Sequence, residues 1–159
     1  MHPENLAESL KKHPFIHDLD DRLVQIIQSC AKNVSFSEGE YLFHEGESAT
    51  TFYLIRTGRV AIEVHAGERG PVRIQTTGPG EVLGWSWLIH PYRWHFDACA
   101  TDDVRAFALD GKCLRTKCES DHDLGYEILK RLALVLENRL QATRLQLLDV
   151  YGSAGGDGA

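Results

Sequence analysis

The chain has 159 residues, a net charge of −6 and an apolar share of 43%, enough for one domain with a sizeable core and some extension. Its acidity argues against general binding to DNA or anionic membranes, because the field that draws proteins to polyanions is lacking. No apolar run is long enough to span a bilayer, and Met1 to Leu6 has no basic-then-apolar signal pattern, so a soluble cytoplasmic protein is expected.

Residues 1–17 form an N-terminal segment, and 18–151 form the domain. From Asp20 to Lys32 the apolar residues Leu23, Ile26, Ile27 and Cys30 recur at helical spacing, with Asp18, Asp20 and Asp21 near the start. This predicts a short amphipathic helix. From Val34 to Leu109 the period changes to two. Phe36 to Phe43 reads as strand, turn, strand. Thr51–Ile55 and Arg59–Val64 flank a tight turn at Thr57-Gly58, which predicts a hairpin. Val72, Ile74 and Thr76 alternate with Arg73 and Gln75, and Val104 to Leu109 is a further strand.

The helical period returns after Asp110. Gly111 to Lys117 reads as a short helix, and a long helix follows from about Asp121 to Tyr151. Ser120 is the predicted N-cap, with Asp123 three residues on, and Gly152 the predicted C′ residue. Residues 152–159 read as a disordered tail. Ala133, Leu136, Leu140, Thr143, Leu147 and Val150 form a seam at spacings of three and four, while Leu134, Leu145 and Leu148 lie on another side. The helix is longer than one barrel covers, so the seam predicts a homodimer through the C-terminal helix. The fold class is mainly β with flanking helices: an antiparallel β jelly-roll (double-stranded β-helix) barrel between a short N-terminal and a long C-terminal helix.

The four cysteines are Cys30, Cys99, Cys113 and Cys118. None forms a C-x-x-C pair, which argues against zinc and iron–sulfur sites. They read as reduced thiols, buried or half-buried, in a reducing compartment. No nucleophile elbow, carboxylate pair or Cys/His dyad stands out, so no enzyme is expected.

The most informative segment is Gly78-Pro79-Gly80-Glu81-Val82-Leu83-Gly84-Trp85-Ser86-Trp87, followed by Pro91-Tyr92-Arg93-Trp94-His95. The glycine turn permits close backbone approach, and amides after such a turn can bind an anion. Glu81 is placed to accept from sugar hydroxyls or to be satisfied by turn amides. Arg93 fits either a phosphate or a surface ion pair. Trp85, Trp87 and Trp94 with Tyr92 either stack on a flat ligand or fill core.

The order of helix, eight-stranded jelly roll and long helix resembles the cyclic-nucleotide-binding domain of the catabolite activator protein and of protein kinase A regulatory subunits. Gly39–Glu47, Phe52–Val60 and Gly78–Gly84 carry the resemblance, which spans about His13 to Tyr151. The resemblance implies a phosphate-binding cassette starting at Gly78 and a cyclic AMP or cyclic GMP ligand. The candidate ligand residues are Gly80, Glu81, Val82, Leu83, Gly84, Arg93, Trp94 and His95, with Glu81 on the ribose. The family's phosphate arginine stands six positions before an alanine. Counting back six from Ala100 reaches Trp94, and Arg93 stands one position early. Either a longer loop bulges to bring Arg93 in, or the phosphate contact is lost.

Gas-sensing relatives suggest an alternative, a haem or other cofactor held by His44, His95 or Cys99, although no metal site is assigned. A further alternative is the same fold used as a protein-interaction module. Transcription-factor relatives continue into a helix-turn-helix domain. Here eight residues follow Tyr151, so the expectation is a stand-alone sensor acting on another protein, without direct nucleic-acid or membrane contact.

Overall fold

In the computed structural model, which describes residues 5–156 and side chains through residue 151, two four-stranded antiparallel sheets face each other beneath a layer of helices. The elements in chain order are α1 (Leu6–Lys11), α2 (Asp21–Gln28), β1 (Ala31–Phe36), β2 (Tyr41–Phe43), β3 (Thr51–Thr57), β4 (Val60–His65), β5 (Pro71–Thr77), β6 (Val82–Leu83), β7 (Asp97–Ala100), β8 (Val104–Asp110), α3 (Gly111–Ser120) and α4 (His122–Gly156). One sheet runs β1-β8-β3-β6 and the other β2-β7-β4-β5. This is the expected jelly roll.

Period-two alternation sorts residues between two cores. On β3, Phe52 and Leu54 face the helices while Tyr53 and Ile55 face the barrel interior. On β8, Phe107 and Leu109 face the helices, and Val104, Ala106 and Ala108 face inward. Both faces of β3 and β8 are therefore buried, and each full burial of a large apolar side chain contributes about 1.5–3 kcal/mol. The helical core includes Leu10, Phe15 and Ile16 from the N-terminal segment, with Leu114, Leu124 and Ile128 from α3 and α4.

The structure corrects the expected strand pairing, helix limits and thiol state. β3 and β4 do not form a hairpin: β3 pairs with β6 and β8, and β4 with β5 and β7. The Thr57-Gly58 turn instead crosses between the sheets. Gly58 has φ +83°, and a Cβ there would collide with the Asp103 carbonyl. The first domain helix ends at Gln28 rather than Lys32, because Ala31 onward pairs with β8. Ser120 does not cap the long helix; its hydroxyl donates to the Thr116 and Lys117 carbonyls at the end of α3. Asp121 takes the capping role, accepting from the Leu124 amide. Gly152 does not end α4, whose backbone continues to Gly156. The predicted disordered tail is thus helical over that stretch, and its last three residues lie outside the described residues.

The thiols are not all reduced. Cys30, between α2 and β1, is disulfide-bonded to Cys113 on α3, with a Cα–Cα distance of 5.7 Å. Only Cys99 and Cys118 are free, both half-buried. The sequence gives no sign of this pair, because the two residues are 83 positions apart and meet only when β8 returns beside β1.

Candidate functional site at the glycine turn

The turn from Gly78 to Glu81 is closed by its own backbone. The Glu81 amide donates to the Gly78 carbonyl (3.1 Å), and the Gly80 amide to the Ile55 carbonyl (3.0 Å). The Ile55 amide donates back to the Glu81 carbonyl (2.9 Å). Gly80 adopts φ +83°, and a Cβ there would press on Pro14 at 3.3 Å. The N-terminal segment therefore lies directly against the turn. Val82 and Leu83 pair with Leu54 and Tyr53, are buried, and hold the turn at the end of β6.

His13 fastens this contact. Its buried ring donates from Nε2 to the Ile55 carbonyl (2.9 Å) and accepts at Nδ1 from the Phe15 amide (3.1 Å). Both bonds together require the neutral ring. Burial pushes the imidazole below its ordinary 6.5. The unfolded chain then takes up a proton before the folded one. Stability from neutral His13 is complete above about pH 6.5 and is lost as pH falls towards the folded pKa. Thermal melts should show a smaller fall in Tm between about pH 7 and about pH 5 for His13→Gln than for wild type; an equal fall contradicts the assignment.

The second half of the segment zips onto another loop. The Trp94 amide donates to the Glu47 carbonyl (3.0 Å), and the Trp94 carbonyl accepts from the Gly46 amide (2.9 Å). Trp94 is 3% exposed and stacks on Phe43 in the barrel, with ring centroids 3.6 Å apart. Its ring lies against Gly84, φ +90°, where any Cβ would collide with it. In extended chain the neighbours of an inward residue face outward. Arg93 and His95 are accordingly exposed, and Arg93 Nη1 donates to the Gly46 carbonyl (2.8 Å).

The guanidinium that does reach the turn is one the sequence reading passed over. Arg139 of α4 donates to the Val82 carbonyl and lies 4.9 Å from the centre of the half-buried Trp85 ring. Burial lowers its pKa, and the charge of Glu81 opposes that shift. A signal was available: Leu124, Ile128, Leu132 and Val135 mark the barrel-facing stripe of α4, and Arg139 continues it at a spacing of four. Glu81, Gln75, Phe15 and Arg139 line one groove of about 480 Å³ between the turn and α4. That volume lies within the roughly 300–1,000 Å³ usual for small-ligand sites. A cavity beside Trp94 measures only about 140 Å³.

The cofactor candidates lie elsewhere. His44 stacks on Tyr41 and has Nδ1 3.6 Å from Asp97, whose other oxygen is 3.0 Å from His65 Nε2. Cys99 donates to the Gly39 carbonyl. Among the described residues, no group of three His, Cys, Asp or Glu side chains is arranged to hold a metal ion.

Residues 33–121 match the family model of the cyclic nucleotide-binding domain. The chain belongs to that family. It is 27% identical over 145 residues to the CRP-like cAMP-activated global transcriptional regulator of Mycobacterium tuberculosis, covering 91% of this chain and 63% of that protein. It is 31% identical over 88 residues to human cGMP-dependent protein kinase 2, covering 55% of this chain and 10% of the kinase. This cyclic nucleotide-binding domain therefore spans less than two thirds of the curated relatives it matches. Among solved structures it resembles a cyclic nucleotide-binding protein of Geobacter metallireducens, with TM-score 0.77 and 27% identity over 86% of this chain and 99% of that one.

Proposed function

We propose that this domain is a regulatory sensor that binds a cyclic nucleotide, or a related anionic nucleotide, in the groove between the glycine turn and α4. Arg139 is the phosphate partner, Glu81 accepts from the ribose, and the Trp85 ring borders the site. The observation that carries this reading is the Arg139 side chain, which joins α4 to the end of the turn at the Val82 carbonyl. The mycobacterial relative is cAMP-activated and the human one cGMP-dependent, which supports a cyclic nucleotide. A ligand that engages Arg139 competes with the Val82 carbonyl, so binding alters the seat of α4. That is allosteric only to the extent that the ligand prefers one of the two arrangements.

The outer face of α4 pairs two copies. Leu129, Leu136, Leu140 and Leu147 are 55%, 40%, 51% and 50% exposed, and with Ala133, Thr143 and Val150 they keep alternating spacings of four and three. Light scattering at roughly tens of micromolar should give about twice the 17.9 kDa chain mass, and Leu136→Glu with Leu140→Glu should give the monomer. A wild-type monomer there contradicts the pairing. The output passes to another protein through α4 or the 85–95 loop.

A second reading is favoured by Trp94. Its ring fills the barrel against Gly84, and Arg93 points away from it, as in an interaction module that has given up nucleotide binding. Calorimetry with cyclic AMP and cyclic GMP separates the two. Saturable heat supports the sensor; no heat at about millimolar ligand sinks it and leaves the module.

A further inference from the structure

The largest groove among the described pockets, about 830 Å³, lies away from the glycine turn and opens onto the disulfide. Lys32, Lys112 and Lys117 line it, all exposed, with Asp110 as its one carboxylate. Asp110 is already engaged with the Cys113 amide at 2.8 Å. Cys113 is half-exposed and Cys30 is buried.

We propose that the Cys30–Cys113 disulfide is a thiol-exchange site, opened by a carboxylate-bearing thiol that the lysines of its groove attract. This reaction is independent of any nucleotide bound at the turn. The incoming thiolate attacks Cys113 Sγ, the more accessible sulfur, and the S–S bond breaks. Cys30 departs as a thiolate, which neighbouring ammonium groups stabilise, leaving a mixed disulfide on Cys113. A second thiol attacks the mixed disulfide, releases the Cys113 thiolate and leaves the reagent oxidised to its own disulfide. The two cysteine thiolates then take protons from water. Two electrons pass from two thiols of the reagent to the protein.

The protein's own free thiols do not short-circuit this chemistry. Burial and the neighbouring Asp121 and Glu119 push the Cys118 thiol up to about 11, and burial raises Cys99, so both stay protonated. Opening the bond frees the first turn of α3 from the end of α2. That helix also holds the 85–92 segment, because Arg115 donates to the Trp87 carbonyl and lies 4.0 Å from the Tyr92 ring centre. Exchange at the groove therefore loosens a helix that touches the sensor loop.

The test uses the full chain purified in air. Thiol titration in denaturant should count two thiols, Cys99 and Cys118; four overturns the proposal at once. Native reduction is then followed with mercaptosuccinate, which is dianionic, and with uncharged 2-mercaptoethanol. Lys112→Gln with Lys117→Gln should slow the first by about tenfold and leave the second within about twofold. Equal effects on both reagents, or reduction no faster than global unfolding, overturn it.

Discussion

Replacing both Cys30 and Cys113 by Ala should lower the unfolding free energy by about 4.5 kcal/mol and Tm by roughly 10–15 °C. The figure follows from the 83-residue separation, since closing a long loop removes conformational freedom from the unfolded chain. It is a ceiling, because residual structure in the unfolded state reduces it. The substitutions themselves each remove a single sulfur atom, from buried Cys30 and half-buried Cys113. Urea unfolding without reductant, at fixed protein concentration, measures the difference. A double variant that melts within about 2 °C of wild type contradicts the cross-link.

Trp94→Ala should cost about 3–5 kcal/mol, the range for truncating a large aromatic side chain in a core. Trp94 is 3% exposed, stacks on Phe43 and touches Phe96, and its ring occupies the space that Gly84 leaves free. The alanine leaves a void in the barrel interior bounded by those rings, and rigid strands on both sides limit collapse into it. An aromatic residue held out for a ligand behaves differently, because its truncation costs less than about 1 kcal/mol of stability. Chemical denaturation distinguishes these outcomes. A small loss removes Trp94 from the core and reopens its role as a stacking platform.

Much of the fold was legible from period alone. The alternation of Phe52, Tyr53, Leu54 and Ile55 marks a strand buried on both faces, and the apolar repeat after Asp121 marks the long helix. Pairing was less legible. A Thr-Gly turn suits a hairpin and a sheet-crossing corner equally, and only the close approach of the Asp103 carbonyl to Gly58 separates them. The disulfide depends on a contact between distant segments, which no local pattern encodes.

At the site the turn was readable and its cation was not. Arg93 is the first arginine after the turn in sequence, yet strand alternation commits it outward once Trp94 points in. That inference needed the direction of Trp94, which composition cannot supply. Arg139 lies 58 residues beyond Glu81 and reaches the neighbouring Val82 carbonyl because α4 returns past β6. Its signal is a cation on an otherwise apolar stripe, set beside a longer and more regular apolar seam on another side of α4.

In the proposed sensor the ligand's negative charge is met by Arg139 rather than Arg93. Calorimetric titration of cyclic AMP and cyclic GMP into wild type, Arg139→Ala and Arg93→Ala tests it most directly. Loss of a half-buried, charge-assisted contact should weaken binding by about tenfold or more in Arg139→Ala, while Arg93→Ala stays within about twofold of wild type. The reverse order, with Arg93→Ala the damaging variant, would contradict the account.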